Sequence, residues 1–356
     1  MEASTEAAER LPISRTPLDV VGSLLQRYGL IALLLVMPVV YGIQDIGDDG
    51  SLTRLGNNFV DGLSNGAIWA LIAIGYTLVY GIVELINFAH GEVFMIGSLV
   101  AVGLWGTVGI TTDTAGVGLI LGLLLTLVVA MVASASLNTM IERVGYRPLR
   151  NAPRLAPLIT AVGFSFILQN VGNLWIGGSP EGSPDVIEAQ KELFNVGGVS
   201  VSQGDVFAVA AGIPLMLLLT AFISRSRIGK AMRATAQDPE ASRLMGINVD
   251  TTISFTFLLG GLMAGAAGLI YAVYQTTIWF LQGFQAGLIA FTAAVMGGIG
   301  NLQGAVLGGF IIGIIQQISD NRIGGQWTPA IVFAYLVLIM VFRPQGLLGE
   351  ETREAG

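Results

Sequence analysis

The sequence predicts an all-α, polytopic transmembrane helical bundle of about ten spans, with eight spans plus a re-entrant pair as the alternative count. Three observations predict it. Of 356 residues, 53% are hydrophobic and only 12% charged, against roughly 25% charged in a soluble globular domain. The apolar residues gather in uninterrupted runs near the roughly 20 residues needed to cross about 30 Å of hydrocarbon. The basic residues gather in a few short segments between those runs, which is where residues that resist translocation collect on the cytoplasmic face.

Taken in order, residues 1–27 mix Glu2, Glu6 and Glu9 with Arg10, Arg15 and Arg27. They lack the simple basic start of a signal peptide and read as a cytoplasmic tail. A first apolar run at 28–43 is short for a full span unless its helix extends back into the tail, and Pro38 is placed to kink it. Further spans are expected at 59–83, 91–109, 116–140, 155–176, 206–224 and 251–274. Two shorter glycine-broken stretches, 286–298 and 304–318, precede a final span at 327–342. The membrane domain therefore covers 28–349, with a short cytoplasmic tail at 350–356. Either count is even, so both ends lie on one side.

The charge distribution gives the orientation. Arg143, Arg147, Arg150 and Arg154 fill one loop; Arg225, Arg227, Lys230, Arg233 and Arg243 fill another at 225–250; and Arg343 follows the last span. Those segments read as cytoplasmic, which places 44–58 and 177–205 outside. Within the second outer loop, Phe194 to Val201 alternate around Gly197-Gly198, the pattern of a β-hairpin. It either caps helix ends or docks an external partner.

Several kinds of chemistry are excluded. There is no cysteine and one histidine, so disulfides, thiolate nucleophiles and multi-histidine metal sites are out of reach. No catalytic constellation accompanies the histidine, and no G-x-x-x-x-G-K-[ST] loop is present to hold ATP. The net charge of −7 sums loops on both faces, and nucleic acid is not an expected partner.

Polar residues inside apolar sequence mark the candidate sites. In 84–92, Asn87, His90 and Glu92 lie beside Glu84 and Phe88. Ionisable groups at membrane depth are costly and face a cavity or one another, and in a helix Glu84, Phe88 and Glu92 would share a face. The segment is either a gate or pathway lining, or a solvated cytoplasmic turn in which His90 caps a helix. In 228–247, Asp238 is placed to cap a helix that starts at Pro239, with Glu240 in its first turn and Gly246 at its stop. Ala241, Leu244 and Met245 then fall on one side, next to Arg243, and that side meets the membrane surface or another protein. Glycine is frequent, 48 residues, and the spacing of Gly304, Gly308, Gly309 and Gly313 suits close helix packing.

Three separated motifs carry a family resemblance: Asn87-Phe88-Ala89-His90-Gly91-Glu92; Gly297-Gly298-Ile299-Gly300-Asn301 with Gly304 to Gly309; and Phe342-Arg343-Pro344-Gln345-Gly346-Leu347-Leu348-Gly349. With them the chain, from about 57 to 349, resembles the permease subunits of branched-chain amino acid ABC importers, a family that also includes urea permeases. The Glu240-Ala241-Ser242 sequence followed by Gly246 is similar to the coupling-helix pattern of such importers, with Ser242 replacing an alanine. The resemblance implies a second, homologous permease subunit in a heterodimer, two ATP-binding cassette subunits that hold ATP and Mg, an extracytoplasmic binding protein, and a prokaryotic inner membrane. It implies no cofactor and no catalysis on this chain. Asn87, His90, Glu92 and the turn at Gly297, Gly298, Gly300 and Asn301 are the expected pathway or gate. Phe88 beside His90 favours hydrophobic amino acids over urea or a short-chain amide as cargo. An ion-coupled secondary transporter or channel is the rival class; it usually carries paired ionisable residues midway along spans, and most spans here have none.

Overall fold

In hydrocarbon every backbone N–H and C=O must be bonded within its own segment or a neighbouring one, so long apolar runs become helices. The computed structural model describes residues 17–349 apart from 151 and 154; residues 1–16 and 350–356 of the expected tails, and Arg154, lie outside the described residues. Its helices are α1 (Pro17–Asp49), α2 (Thr53–Val83), α3 (His90–Val108), α4 (Gly116–Ile141), α5 (Leu155–Ile176), α6 (Gln203–Arg225), α7 (Arg227–Gln237), α8 (Pro239–Leu244), α9 (Val249–Gln275), α10 (Gln282–Gly297), α11 (Leu302–Ser319) and α12 (Thr328–Phe342). Four short strands, β1 (Glu181–Gly182), β2 (Glu192–Val196), β3 (Val199–Ser202) and β4 (Thr277–Ile278), form two antiparallel pairs, β1 with β4 and β2 with β3. Gly197 and Gly198, both at positive φ, turn the second pair.

Among the described residues eight helices are long and apolar enough to cross a membrane: α1 to α6, α9 and α11. The stretch at 286–298 belongs to α10, which starts at Gln282 and is 16 residues long, and α12 has 15. The first span is completed by a helix that extends back into the expected tail: one helix runs from Pro17 to Asp49 through Pro38, and a short turn at 50–52 joins it to α2. The expected outer loop at 44–58 is thus mostly helical. The basic loop after α4 is helical too, with a π-turn at Glu142–Tyr146 and a 3-10 turn at Arg147–Leu149.

Burial sorts the helices. The apolar windows of α2 and α9 are 78% buried, whereas that of α4 is 17% buried and turns Leu124, Leu125 and Val128 outward. α2 and α9 are therefore the centre, and α4, α5 and α6 the periphery. Small residues let the central helices touch: a Cβ on Gly309 of α11 would lie 2.5 Å from the Ala70 Cα of α2. A polar seam follows the same contact. Trp69 donates to Gln316 at 2.6 Å, Asn65 to Gln317 at 3.2 Å and Gln317 to Asp61 at 3.3 Å. Beyond them Arg322 pairs with Asp45, a carboxylate 1% exposed. Interhelical hydrogen bonds of this kind add to packing where apolar association has no driving force.

Candidate functional site

The chain breaks its helical path between α2 and α3, and the reason is local. α2 ends on Glu84, a non-glycine residue at φ 54° whose N–H bonds Tyr80. Residues 85–87 belong to no helix or strand, and Asn87 accepts from the Ala89 N–H at 3.2 Å while its carbonyl accepts from His90 at 3.0 Å. Within 84–92 a helix forms only from His90, so the shared face that a continuous helix would give Glu84 and Glu92 does not arise. After the break the chain folds back along α2. The imidazole lies against Gly75, where an added Cβ would sit 2.3 Å from Nε2, and stacks edge-on to Tyr76 with 4.8 Å between ring centres. Gly75 lies eight residues before the end of α2, about 12 Å at 1.5 Å per residue, so α3 begins inside the bundle. Such broken helices occur at depth where backbone lines a cavity or is covered by protein.

Asn87, His90 and Glu92 are almost completely buried, at 1%, 0% and 0% exposure, so they are not part of a solvated turn. Asn87 donates to Asn138 of α4 at 3.1 Å, and Asn138 donates in turn to the Phe257 carbonyl of α9 at 2.6 Å. The Tyr146 hydroxyl, from the π-turn after α4, donates to the Ile86 carbonyl at 3.2 Å and meets Asn87 Oδ1 at 3.3 Å. Glu92 Oε1 accepts from Gln169 of α5 at 2.9 Å. Both ring nitrogens of His90 and Glu92 Oε2 have no hydrogen-bond partner among the described residues. Among those residues, no three His, Cys, Asp or Glu side chains converge as metal ligands.

A cleft opens beside this cluster between α5, which packs on α3, and α10, which packs on α2, α3 and α11. Tyr76 and Phe88 form its floor, Ser165, Phe166 and Gln169 one wall, and Phe284 and Phe291 the other. A second, smaller hollow shares Tyr76 and Phe291 and reaches Ile86 and Ile299. Apart from Ser165 and Gln169 the named lining is aromatic, so the cleft is mostly apolar with a small polar patch on the α5 side.

The turn at Gly297 to Asn301 is bound elsewhere. Asn301 caps α11 through the Gly304 N–H at 3.0 Å and donates to the Leu348 carbonyl at 2.8 Å. The Leu347 and Leu348 N–H groups donate to Met296 and Gly297 at 2.8 and 3.0 Å. Gly298, at φ +106°, has Gly349 and the Gln345 carbonyl packed where a side chain would stand, and Gly346 in turn lies against Gly298. The second and third sequence motifs are therefore one structural unit, and Ile299 of this turn lines the smaller hollow. Gly304 and Gly308 carry the same closeness along the α10–α11 contact, and Gly313 seats on Gly66 of α2.

At the basic end of the bundle, Asp238 caps α8 by accepting from Glu240 and Ala241, both at 2.9 Å. Pro239 opens the helix, and Gly246 leaves it at φ +81°. Ala241 and Arg243 are exposed, and Leu244 and Met245 are 90% and 82% exposed. Two large apolar side chains this bare on a firmly bounded helix make a peg of partner-binding character.

Sequence reasoning missed Asn138, Tyr146, Ser165 and Gln169. Asn138 and Gln169 had a readable signal, an amide inside an apolar span.

Comparison with known proteins gives these features a family. Residues 58–341 match the family model for the branched-chain amino acid transport system permease component. The chain is 39% identical over 295 residues to the high-affinity branched-chain amino acid transport system permease protein BraD of Pseudomonas aeruginosa, covering 82% of this chain and 94% of that one. It is 41% identical over 294 residues to the corresponding LivH protein of Escherichia coli, covering 81% and 94%. A more distant relative, 27% identical over 291 residues, is the autoinducer 2 import system permease protein LsrC of Yersinia pseudotuberculosis, covering 78% and 75%. By its match to the family model, its identity to these relatives and the eight described helices apolar and long enough to cross a membrane, this multi-pass protein belongs to the permease-component family of branched-chain amino acid ABC transport systems.

Proposed function

We propose that this chain carries branched-chain, hydrophobic amino acids across a prokaryotic inner membrane as one of two homologous permeases in an ATP-driven importer. One observation carries the reading: about 40% identity to two high-affinity branched-chain permeases along 94% of their length. The aromatic and aliphatic walls of the α5–α10 cleft support an apolar cargo over urea or a short-chain amide.

The remaining parts follow from the same reading. Two ATP-binding cassette subunits hold ATP and Mg and receive the α8 peg, Asp238 to Gly246. An external binding protein delivers cargo over the end that bears the β2–β3 hairpin, and both termini lie in the cytoplasm. Closure of the ATPases displaces α8, and with it α7 and α9, which are continuous with it in sequence. α9 holds Asn138 through the Phe257 carbonyl, so its tilt reaches Asn87 and the break at 84–89. Asn87, His90 and Glu92 act there as gate or lining, with the Gly297 to Asn301 turn supporting it. Rigid-body switching between two packings suits the small-residue contacts.

The test is uptake into proteoliposomes that contain the full assembly, with leucine and urea compared and ATP withheld in a control. ATP-dependent leucine uptake with little urea uptake is expected. Flux that proceeds without ATP, or that follows an ion gradient alone, overturns the reading, and a preference for urea overturns its cargo.

A further inference from the structure

The geometry points to Gln169 as the residue that selects the ammonium group of the cargo, with Glu92 as the positioning residue that turns its amide. The inference rests on the cargo reading above in taking the transported molecule to carry an amine. Glu92 lies in a span, fully buried, with no basic side chain among its hydrogen-bond partners. An ionisable group placed at such expense marks a function more often than a packing need.

What Glu92 does locally is fix a neighbour. Its Oε1 accepts from Gln169 Nε2 at 2.9 Å, and the same Nε2 donates to Ser165 Oγ at 3.1 Å. An amide nitrogen has two hydrogens, and both are used. The orientation observed is the one in which Nε2 reaches Glu92 Oε1 and Ser165 Oγ together. The carbonyl Oε1 is then the polar atom Gln169 has left to offer, and Gln169 lines the cleft. It can only accept. The matching ligand group is one rich in donors, and an ammonium has no acceptor at all. No Lys or Arg lines the cleft, so a carboxylate finds no cation there. The aliphatic part of the same molecule meets Phe88, Phe284 and Phe291 a few ångströms away along the cleft.

The inference separates from a purely structural tether of α5 by ligand chemistry. Saturation-transfer NMR on the full chain in lipid nanodiscs, without binding protein, compares isopentylamine, isopentanol and isovalerate, three probes with one carbon skeleton. The amine is expected to bind at least tenfold more tightly than the alcohol or the acid. Gln169→Leu is expected to remove that preference, Gln169→Glu to keep it, and Glu92→Gln to weaken it by freeing the amide to flip. Equal binding of amine and alcohol to the unchanged chain overturns the inference whatever the variants do. Amine preference undiminished in folded Gln169→Leu also overturns it. Failure of ATP-dependent leucine uptake in proteoliposomes is a different result and refutes the transport reading instead.

Discussion

Replacing Asn138 by leucine removes the centre of the polar joint between α4, α9 and the break at 84–89 at nearly constant volume. Two buried bonds disappear, from Asn87 Nδ2 at 3.1 Å and to the Phe257 carbonyl at 2.6 Å. Interhelical hydrogen bonds in membranes contribute about 0.6 to 1.7 kcal/mol each, so the expected loss is about 1–3 kcal/mol. That corresponds to a roughly 5- to 150-fold shift in the unfolding constant. The assay is equilibrium unfolding in mixed micelles of increasing dodecyl sulfate content, followed by the fluorescence of the 5 tryptophans. A double-mutant cycle with Asn87→Leu isolates the bond between the two amides. If Asn138→Leu unfolds within about 0.3 kcal/mol of the unchanged chain, or the cycle shows the two positions to be additive, the joint contributes nothing and the argument from it fails.

Three further outcomes are expected. Gly309→Val drives a side chain into Ala70 at 2.5 Å and prevents folded protein from accumulating, whereas Gly163→Ala, with nothing within 4 Å, leaves the yield unchanged; size-exclusion profiles in detergent distinguish them. Arg322→Ala strips the partner from the buried Asp45 carboxylate and costs about 3 kcal/mol, while Lys191→Ala, at a pair exposed by 59% and 64%, costs under about 1 kcal/mol, both read from the same unfolding curves. Leu244→Asp, at a site 90% exposed, shifts the stability of the isolated chain by less than about 0.5 kcal/mol yet lowers transport per ATP hydrolysed at least tenfold in the reconstituted assembly; unchanged transport removes the peg from the mechanism.

The spans were legible because an apolar run of the right length has one stable form in lipid, and the sequence bounds of α4, α5 and α6 lie within three residues or so of the observed ones. The loop at 44–58 was misread for a related reason. Asp45 and Asp48 look like a water-facing linker, yet Asp45 is neutralised by Arg322 from residues far along the chain. Local sequence cannot announce such a pairing. The segment at 84–92 was recognisable as unusual from its polar residues, but its path was not. Helical spacing would have put Glu84 and Glu92 together and a turn would not, and the Asn87 hydrogen bonds that decide for a break are not evident from spacing. The cap at Asp238 and the hairpin at Gly197-Gly198 were readable because both are decided by a few adjacent residues. The α5–α10 cleft was not readable, since it is formed by helices far apart in sequence.

The seam between α2 and α11 has a consequence for biosynthesis. Asp61, Asn65 and Trp69 find their partners on Gln316 and Gln317, so the second hydrophobic helix enters the bilayer with polar groups whose mates are not yet made. Roughly 220 residues of chain separate the end of α2 from the start of α11, and at about 5–20 residues per second the ribosome needs on the order of 10 to 40 seconds to supply them. During that interval the nascent protein depends on the insertion machinery, or on chaperones beside it, to shelter a half-finished interior from lipid.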